Sequence, residues 1–545
     1  MLVELYPFLR VKMFLDLMMF EEGRGFHDRP RGVGIIYNSG PLKKVGEIGS
    51  VSLLVEAPPP GFRLRVRKIR LRRRPPPVAA IIAGRPIVDA LGQLSRADWP
   101  GKERTPGPEI PAPRPPKMPP VRPARKHRAS RFFRVETDGG KSWLVSPNGV
   151  KMFSSGVTCV RPWSEGPVQG TERLYRWLPS PREREYAPAV GRDAKGRPRR
   201  MSFYTANLIR RYGGGWRQKW ASLACDRLAG WGFNTIGNWS DHLAHSRRLL
   251  PYTLNAAWWD VPRDRSVFLG FPDVFSTEFE KRCDEAARAM VRPSDSLLIG
   301  YFIHNEPGWG GGRVNIAERA LSGNKAPATK RRFQEWMRKR GRNARQPGAT
   351  DLAAFRGMML DRYFKVACGA LRRHDPGHLL MGVRFAGSPP AWMLPPMKYM
   401  DVVTVNNYEQ VPNPALMDRL HRATGKPLLI GEFHFGATDR GMTFYGLQGA
   451  ASQRDRGLAF ARYMEAAAAI PYVLGAHWFQ YADQPMLGRY DGENYNIGMV
   501  DVCDRPYPEI TAAARGVNPL LPLIHAGKRK PRDLRPRYAP TGLVW

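Results

Sequence analysis

Two glutamates stand in apolar surroundings, where an ionised group is costly unless something partners it. Glu306 closes the run "LLIGYFIHNEP" (297–307), and Glu432 sits within "PLLIGEFHFG" (427–436). Either one alone fits a structural ion pair. Both together, at the ends of two different strands, fit a pair of carboxyl groups working across a glycosidic bond, one protonated and one ionised. Other polar residues collect at the ends of comparable runs: Asn238, His304–Asn305, Arg384, Asn406–Asn407–Tyr408, His434 and His477–Trp478. From these the expected substrate contacts are Asn238, His304, Asn305, Arg384, Asn407, Tyr408, His434, His477 and Trp478. Asp483, Gln484, Glu493 and Asn494 join them from the loops that follow. Tyr408 is placed to donate to Glu432, the competing reading being a core tyrosine with a satisfied hydroxyl. Trp478 is a candidate sugar platform, the competing reading a core indole. His304 sits two residues before Glu306, so on a strand both side chains point to the same face.

The elements that must hold these groups are legible as eight short apolar runs: 153–160, 233–239, 252–259, 297–307, 379–385, 401–409, 427–436 and 473–481. Helical patterns lie between them. In 216–230, for instance, Trp216, Trp220, Leu223, Ala224 and Leu228 share a face. Eight strands alternating with helices predict an α/β fold, a (β/α)8 TIM barrel over 131–520, whose functional groups gather at the C-terminal strand ends. No GxGxxG follows any run, which disfavours a doubly wound dinucleotide-binding sheet. Ahead of the barrel, "FFRVETDGGKSWLVSPNG" predicts a hairpin with a Gly-Gly turn. Residues 76–130 are proline-rich, with nine prolines in 101–125, and read as an extended linker or strap. Residues 1–75 read as β-rich, "FRLRVRKIRL" (62–71) alternating apolar and basic with a slip at Lys68. Residues 521–545 read as a tail.

The 545 residues carry a net charge of +38, an excess that suits nucleic acid, anionic lipid or anionic polysaccharide. It is spread along the chain, and no RNP, zinc-finger or helix-turn-helix pattern accompanies it, so no nucleic-acid partner is expected. No apolar run approaches a membrane span, and no membrane partner is expected. The N-terminus "MLVELYPFLRVKMFLDLMMF" is interrupted by Glu4, Arg10, Lys12 and Asp16 and does not read as a signal peptide. Five cysteines lie far apart without a CxxC, which predicts free, mostly buried thiols. His304, His434 and His477 lie on different runs without a ligand motif, so neither a metal nor another cofactor is expected.

The longer motifs carry a family resemblance. "GYFIHNEPGWG", "LIGEFHFGATDRGM" and "GAHWFQYADQPMLGRYDGENYNIGMVDVCDRPYPE" resemble the family 50 glycoside hydrolases, the β-agarases of clan A. "VDALGQLSRADWPGK" (88–102) and "SWLVSPNGVKMFSSGV" (142–157) do so as well, and the resemblance covers about 88–515. It implies a retaining hydrolase of β-1,4-galactosidic bonds in agarose-like galactan, with Glu306 as general acid/base, Glu432 as nucleophile and Asn305 at the sugar 2-hydroxyl. It further implies a secreted or periplasmic protein, and makes residues 1–75 the end of a carbohydrate-binding β-sandwich, short for a complete jelly roll. The chain departs from the family in carrying His304 and Pro307 where the family usually has an acidic residue and a leucine. Two other readings stay open: a hydrolase of a sulfated galactan, such as porphyran or a carrageenan, and a non-catalytic polysaccharide-binding protein.

Overall fold

A computed structural model describes residues 86–95, 98–117, 130–256, 266–310, 315–442 and 444–539. The β-rich reading of 1–75, including 62–71, lies outside the described residues, as do 76–85 and 118–129 of the proline-rich segment.

Each of the eight apolar runs contains strand. The strands are β1 (Ser154–Val157), β2 (Thr235–Ile236), β3 (Tyr252–Asn255), β4 (Leu298–Phe302), β5 (Leu379–Leu380), β6 (Phe385–Ala386), β7 (Val403–Asn406), β8 (Leu428–Phe433) and β9 (Val473–Trp478). They form one parallel sheet in the order β5-β4-β3-β2-β1-β9-β8-β7-β6. Parallel strands buried on both faces need apolar residues at nearly every position, which is why these runs are continuous rather than alternating. The two end strands, β5 and β6, are halves of one segment, 379–386, broken where Gly382 and Arg384 take positive φ angles of 74° and 49°. The Leu380 carbonyl accepts from the amides of Asp401 and Val402 just before β7. The sheet is therefore curled, its two ends meeting in a single stretch of chain, which fits a (β/α)8 barrel.

Helices cover the outside. Trp216–Gly230 buries Trp220, Leu223, Ala224 and Leu228 as its spacing predicts. Ser276, Asn413 and Ser452 cap the helices Thr277–Met290, Pro414–Thr424 and Gln453–Ala469 through their side chains, satisfying amide groups that the helix itself cannot. The hairpin Arg134–Asp138/Lys141–Val145 turns on Gly139 and Gly140, both at positive φ (58° and 72°). Its flank packs Phe133 and Leu144 against Ile299, Leu379, Val402, Leu429 and Leu474, all near the strand starts. That closes the N-terminal end of the sheet and leaves the C-terminal end as the open mouth.

Residues 98–117 are docked along the helices rather than acting as a free linker. Arg227 donates to the Ile110 carbonyl (2.8 Å) and Arg211 to that of Gly107 (3.0 Å). The Glu103 carboxylate lies between Arg211 (3.3 Å) and Arg505 (3.1 Å). The C-terminal stretch is likewise not a loose tail. Leu521–His525 is helical, Arg532 pairs with Glu465 (2.5 Å) and Arg537 with Asp455 (3.1 Å). The five cysteines are free and buried. Among the described residues no helix is long and apolar enough to cross a membrane.

Candidate active site

β4 ends at Phe302, and the chain then bends so that Glu306 adopts φ 42°, a region side chains other than glycine enter only at some cost. The Glu306 amide donates to the carbonyl of Arg384 (3.1 Å), itself at φ 49°. Two strained residues thus brace each other across the mouth. On β7 the side chains alternate, so Thr404, Asn406 and Tyr408 share one face and Val403, Val405 and Asn407 the other. The first face points inward. Asn406 Nδ2 donates to Glu306 Oε1 (2.7 Å). In the β7–β8 ladder Asn406 is paired with Glu432, so this asparagine lies between the two carboxyl groups.

The two carboxyl groups have opposite surroundings. Glu306 is pushed up to about 7, first by burial and then by the charge of Glu432, against the opposing pull of the Asn406 amide and the Arg384 guanidinium. Glu432 instead accepts from two strong donors, Arg384 Nη2 at Oε1 (2.5 Å) and Tyr408 Oη at Oε2 (2.6 Å). Arg384 is itself fully buried, and it packs its guanidinium 4.9 Å from the Phe302 ring centre. Burial and the neighbouring Glu432 raise the Tyr408 phenol well above its ordinary range, so it stays a donor. One partly protonated carboxyl beside one carboxylate held by donors is the arrangement general acid and nucleophilic chemistry share.

A third carboxyl, Glu493, is held by Gln484 Nε2 (2.7 Å) and Arg489 (2.7 Å), and burial pushes it up to about 7. Polar atoms without a protein partner also gather here: both side-chain atoms of Asn238, Oδ1 of Asn305 and Asn406, and Nε and Nη1 of Arg384. Buried polar groups rarely go unpaired, and a cluster of them at one mouth suits a hydroxyl-rich ligand.

Several expected contacts are corrected. Trp478 is fully buried against Phe433 and Phe460 and donates to the Ile497 carbonyl (2.9 Å), so it is a core indole and not a platform. An indole exposed beside this site is Trp239, 39% accessible at φ 64°, with the Arg384 guanidinium 5.9 Å from its ring. Asn407 faces outward, where its Oδ1 accepts from Tyr463 (2.9 Å). Asn406 takes the inward place. His477 is buried in the sheet interior on Ser154 Oγ (2.9 Å), below the mouth, and Gly156 lacks the Cβ that would collide with its ring. Burial pushes His477 down to about 3 and His434 likewise to about 3, so both rings are neutral. His434 Nε2 accepts from the Leu447 amide (2.9 Å), and its ring lies 4.7 Å from that of Tyr408. It anchors a loop and backs Tyr408. His304 turns to Trp309 (4.9 Å between rings), because the chain leaves the strand before Glu306 and the shared face is lost. Asp483 is buried under the Gly498 amide, Asn496 and Tyr507, bracing the loop rather than reaching the mouth. Gln484 braces Glu493 and the Tyr495 amide, and Asn494 donates to the Met486 carbonyl. Asn406, noted among the strand-end polar residues but not among the expected contacts, and Trp239 and Arg489, not noted at all, carry only a weak sequence signal. For Asn406 it is the period-two alternation of β7; for the other two there is little beyond proximity to a strand end. Among the described residues no group of histidine, cysteine and acidic side chains has metal-binding geometry.

No protein-family model matches the chain. It is 30% identical over 469 residues to "Beta-agarase B" of Vibrio sp. (strain JT0107), covering 72% of this chain and 48% of that protein. The chain spans about half the length of the curated relatives it matches. Among solved structures it resembles an agarase, AgWH50C, at 30% identity with a TM-score of 0.70, over 81% of this chain and 73% of that one. It also resembles PfGH50B, at 28% identity with a TM-score of 0.71, over 81% and 75%.

Proposed function

The chain belongs to glycoside hydrolase family 50, and on that premise we propose that it is a retaining hydrolase of β-1,4-galactosidic bonds in agarose-like galactan. The sheet is taken as a closed (β/α)8 barrel, with 379–386 as one interrupted strand. Glu432 attacks the anomeric carbon while Glu306 gives its proton to the departing glycosidic oxygen, leaving a galactosyl ester on Glu432. Glu306, now ionised, takes a proton from a water that attacks the same carbon. The Glu432 carboxylate leaves, and the product keeps its β configuration. Arg384 and Tyr408 hold Glu432 in line. Asn305 serves the 2-hydroxyl, and Trp239 offers an apolar face to a pyranose. A gel-forming polymer cannot cross a membrane, so hydrolysis of the polymer calls for a secreted enzyme, and a periplasmic one would act on shorter galactan oligosaccharides.

The observation that carries this reading is the pair of carboxyl groups on either side of Asn406, one raised to about 7 and one bonded by two donors. The test is release of reducing ends from agarose. Glu432→Gln should lower turnover by about 10³-fold or more, because the covalent route is lost. Glu306→Gln should be far less damaging with an aryl β-galactoside, whose leaving group needs no proton. Undiminished agarose hydrolysis by Glu432→Gln would refute the assignment.

A further inference from the structure

Among the described residues the exposed aromatic side chains are Trp163 (37%), Trp239 (39%) and Tyr490 (52%), all in loops that follow strands of the sheet. Exposed aromatic surface concentrated on one side of a protein marks a contact region. The segment after β1 is zipped to the turn that bears Trp239. Cys159 N donates to the Asn238 carbonyl (2.8 Å), Val160 N to Ser240 Oγ (3.0 Å), and Asp241 N to the Val160 carbonyl (2.8 Å). Arg161 comes next, with its guanidinium 5.7 Å from the Trp163 ring. On the other side Arg489 lies 5.4 Å from the ring of Tyr490.

Most of the ionised side chains around Arg161 and Tyr490 have partners of opposite charge. Glu432 pairs with Arg384, and Asp491 and Glu493 both pair with Arg489 (2.8 and 2.7 Å). Glu165 pairs with Arg200 (2.8 Å) and Asp241 with Arg217 (3.1 Å). No carboxylate pairs with Arg161 among the described residues. Arg161 lies two residues beyond Cys159, whose amide donates to the Asn238 carbonyl (2.8 Å) beside Trp239, so it belongs to the same rim of the mouth. A guanidinium can donate to the hydroxyl groups of a neutral sugar, but these leave its charge unmatched. A tetrahedral anion fits its planar fork of donors.

We propose that Arg161, Trp163 and Tyr490 form a rim subsite for a galactosyl unit bearing a sulfate ester, the ring lying on Trp163 and the sulfate oxygens accepting from Arg161. The proposal rests on the galactan-hydrolase reading and narrows its substrate class. It is tested by calorimetric titration in the Glu432→Gln background, so that ligands stay intact. The probes are a neutral agarose hexasaccharide and the same hexasaccharide with one 6-O-sulfated L-galactose unit. The sulfated ligand should bind about 10-fold more tightly at low salt, as one charge-assisted contact allows. That preference should shrink at about 0.5 M salt, where screening acts over only a few ångströms. Adding Arg161→Gln should abolish the preference, Arg161→Lys should keep part of it, and Trp163→Ala should weaken both ligands together. Equal affinity of the two ligands for the unmodified rim, or an equal loss for both with Arg161→Gln, would overturn the subsite while leaving the hydrolase reading in place. Binding of neither ligand would overturn the galactan reading itself, and the subsite with it.

Discussion

Replacing Asn406 with alanine isolates how the general acid is tuned. The Asn406 amide donates to Glu306 Oε1 at 2.7 Å from a buried position, and this bond favours the ionised form. A hydrogen bond to a charged group contributes about 1.5–3 kcal/mol, and the neutral acid keeps part of that through its carbonyl oxygen. A differential of about 1.4 kcal/mol corresponds to one pKa unit. Glu306, already pushed up to about 7, should therefore rise by about one unit in Asn406→Ala. Below its pKa the group is the proton donor the reaction needs, so the basic limb of kcat/KM against pH should move from about 7 towards 8. Asn407→Ala, on the opposite face, should leave the limb where it is while destabilising the fold through Tyr463. Profiles on a soluble oligosaccharide across pH 5–9 decide between these outcomes. A limb that stays put in Asn406→Ala, or moves to lower pH, would refute the idea that this amide tunes Glu306.

The two tryptophans should separate cleanly. Trp478→Ala empties a filled site between sheet and helix and should cost about 3–5 kcal/mol in denaturant unfolding, whereas Trp239→Ala should raise KM about 10-fold with little loss of stability, as expected for a contact made with bound substrate. Glu306→Gln should stabilise the protein at alkaline pH. The folded state holds the Glu306 proton from 4.5 up to about 7 while the unfolded chain releases it, so wild-type stability falls across that window, by roughly 3 kcal/mol for this group. The variant should then melt higher than wild type at pH 8 and match it near pH 4, and equal melting temperatures at pH 8 would remove the penalty assigned to this carboxyl.

The strands were legible because buried parallel strands are written as uninterrupted apolar runs, and the two glutamates were legible because they break that pattern. What the runs conceal is which way each side chain points. Asn407, Phe433 and Trp478 lie on the outer face, against Tyr463 and Phe460 of the helix Gln453–Ala469, while Asn406, Glu432 and His477 lie on the inner one. When every position is apolar or polar by turns of only one residue, a shift of one place exchanges platform for core, as it did for Trp478 and Asn407. His304 was misplaced for a related reason: alternation ends with the strand at Phe302, and the positive φ of Glu306 breaks the two-residue relation. Trp239 was hidden because nothing in composition distinguishes an indole held in the open at φ 64° from one that packs. The docking of 98–117 depends on Arg211, Arg227 and Arg505, which lie more than a hundred residues away along the chain.

The central claim is that Glu432 forms a covalent bond to the sugar. Incubation with an activated 2-deoxy-2-fluoro-β-galactoside slows release of the glycosyl ester more than its formation and lets it accumulate. Proteolysis and mass spectrometry should then find one fluorogalactosyl adduct, on Glu432 in "PLLIGEFHFG", absent from Glu432→Gln and lost on reactivation with an acceptor sugar. An adduct on Glu306 or Glu493 instead, or hydrolysis of the same substrate class with inverted anomeric configuration and no adduct, would contradict the account.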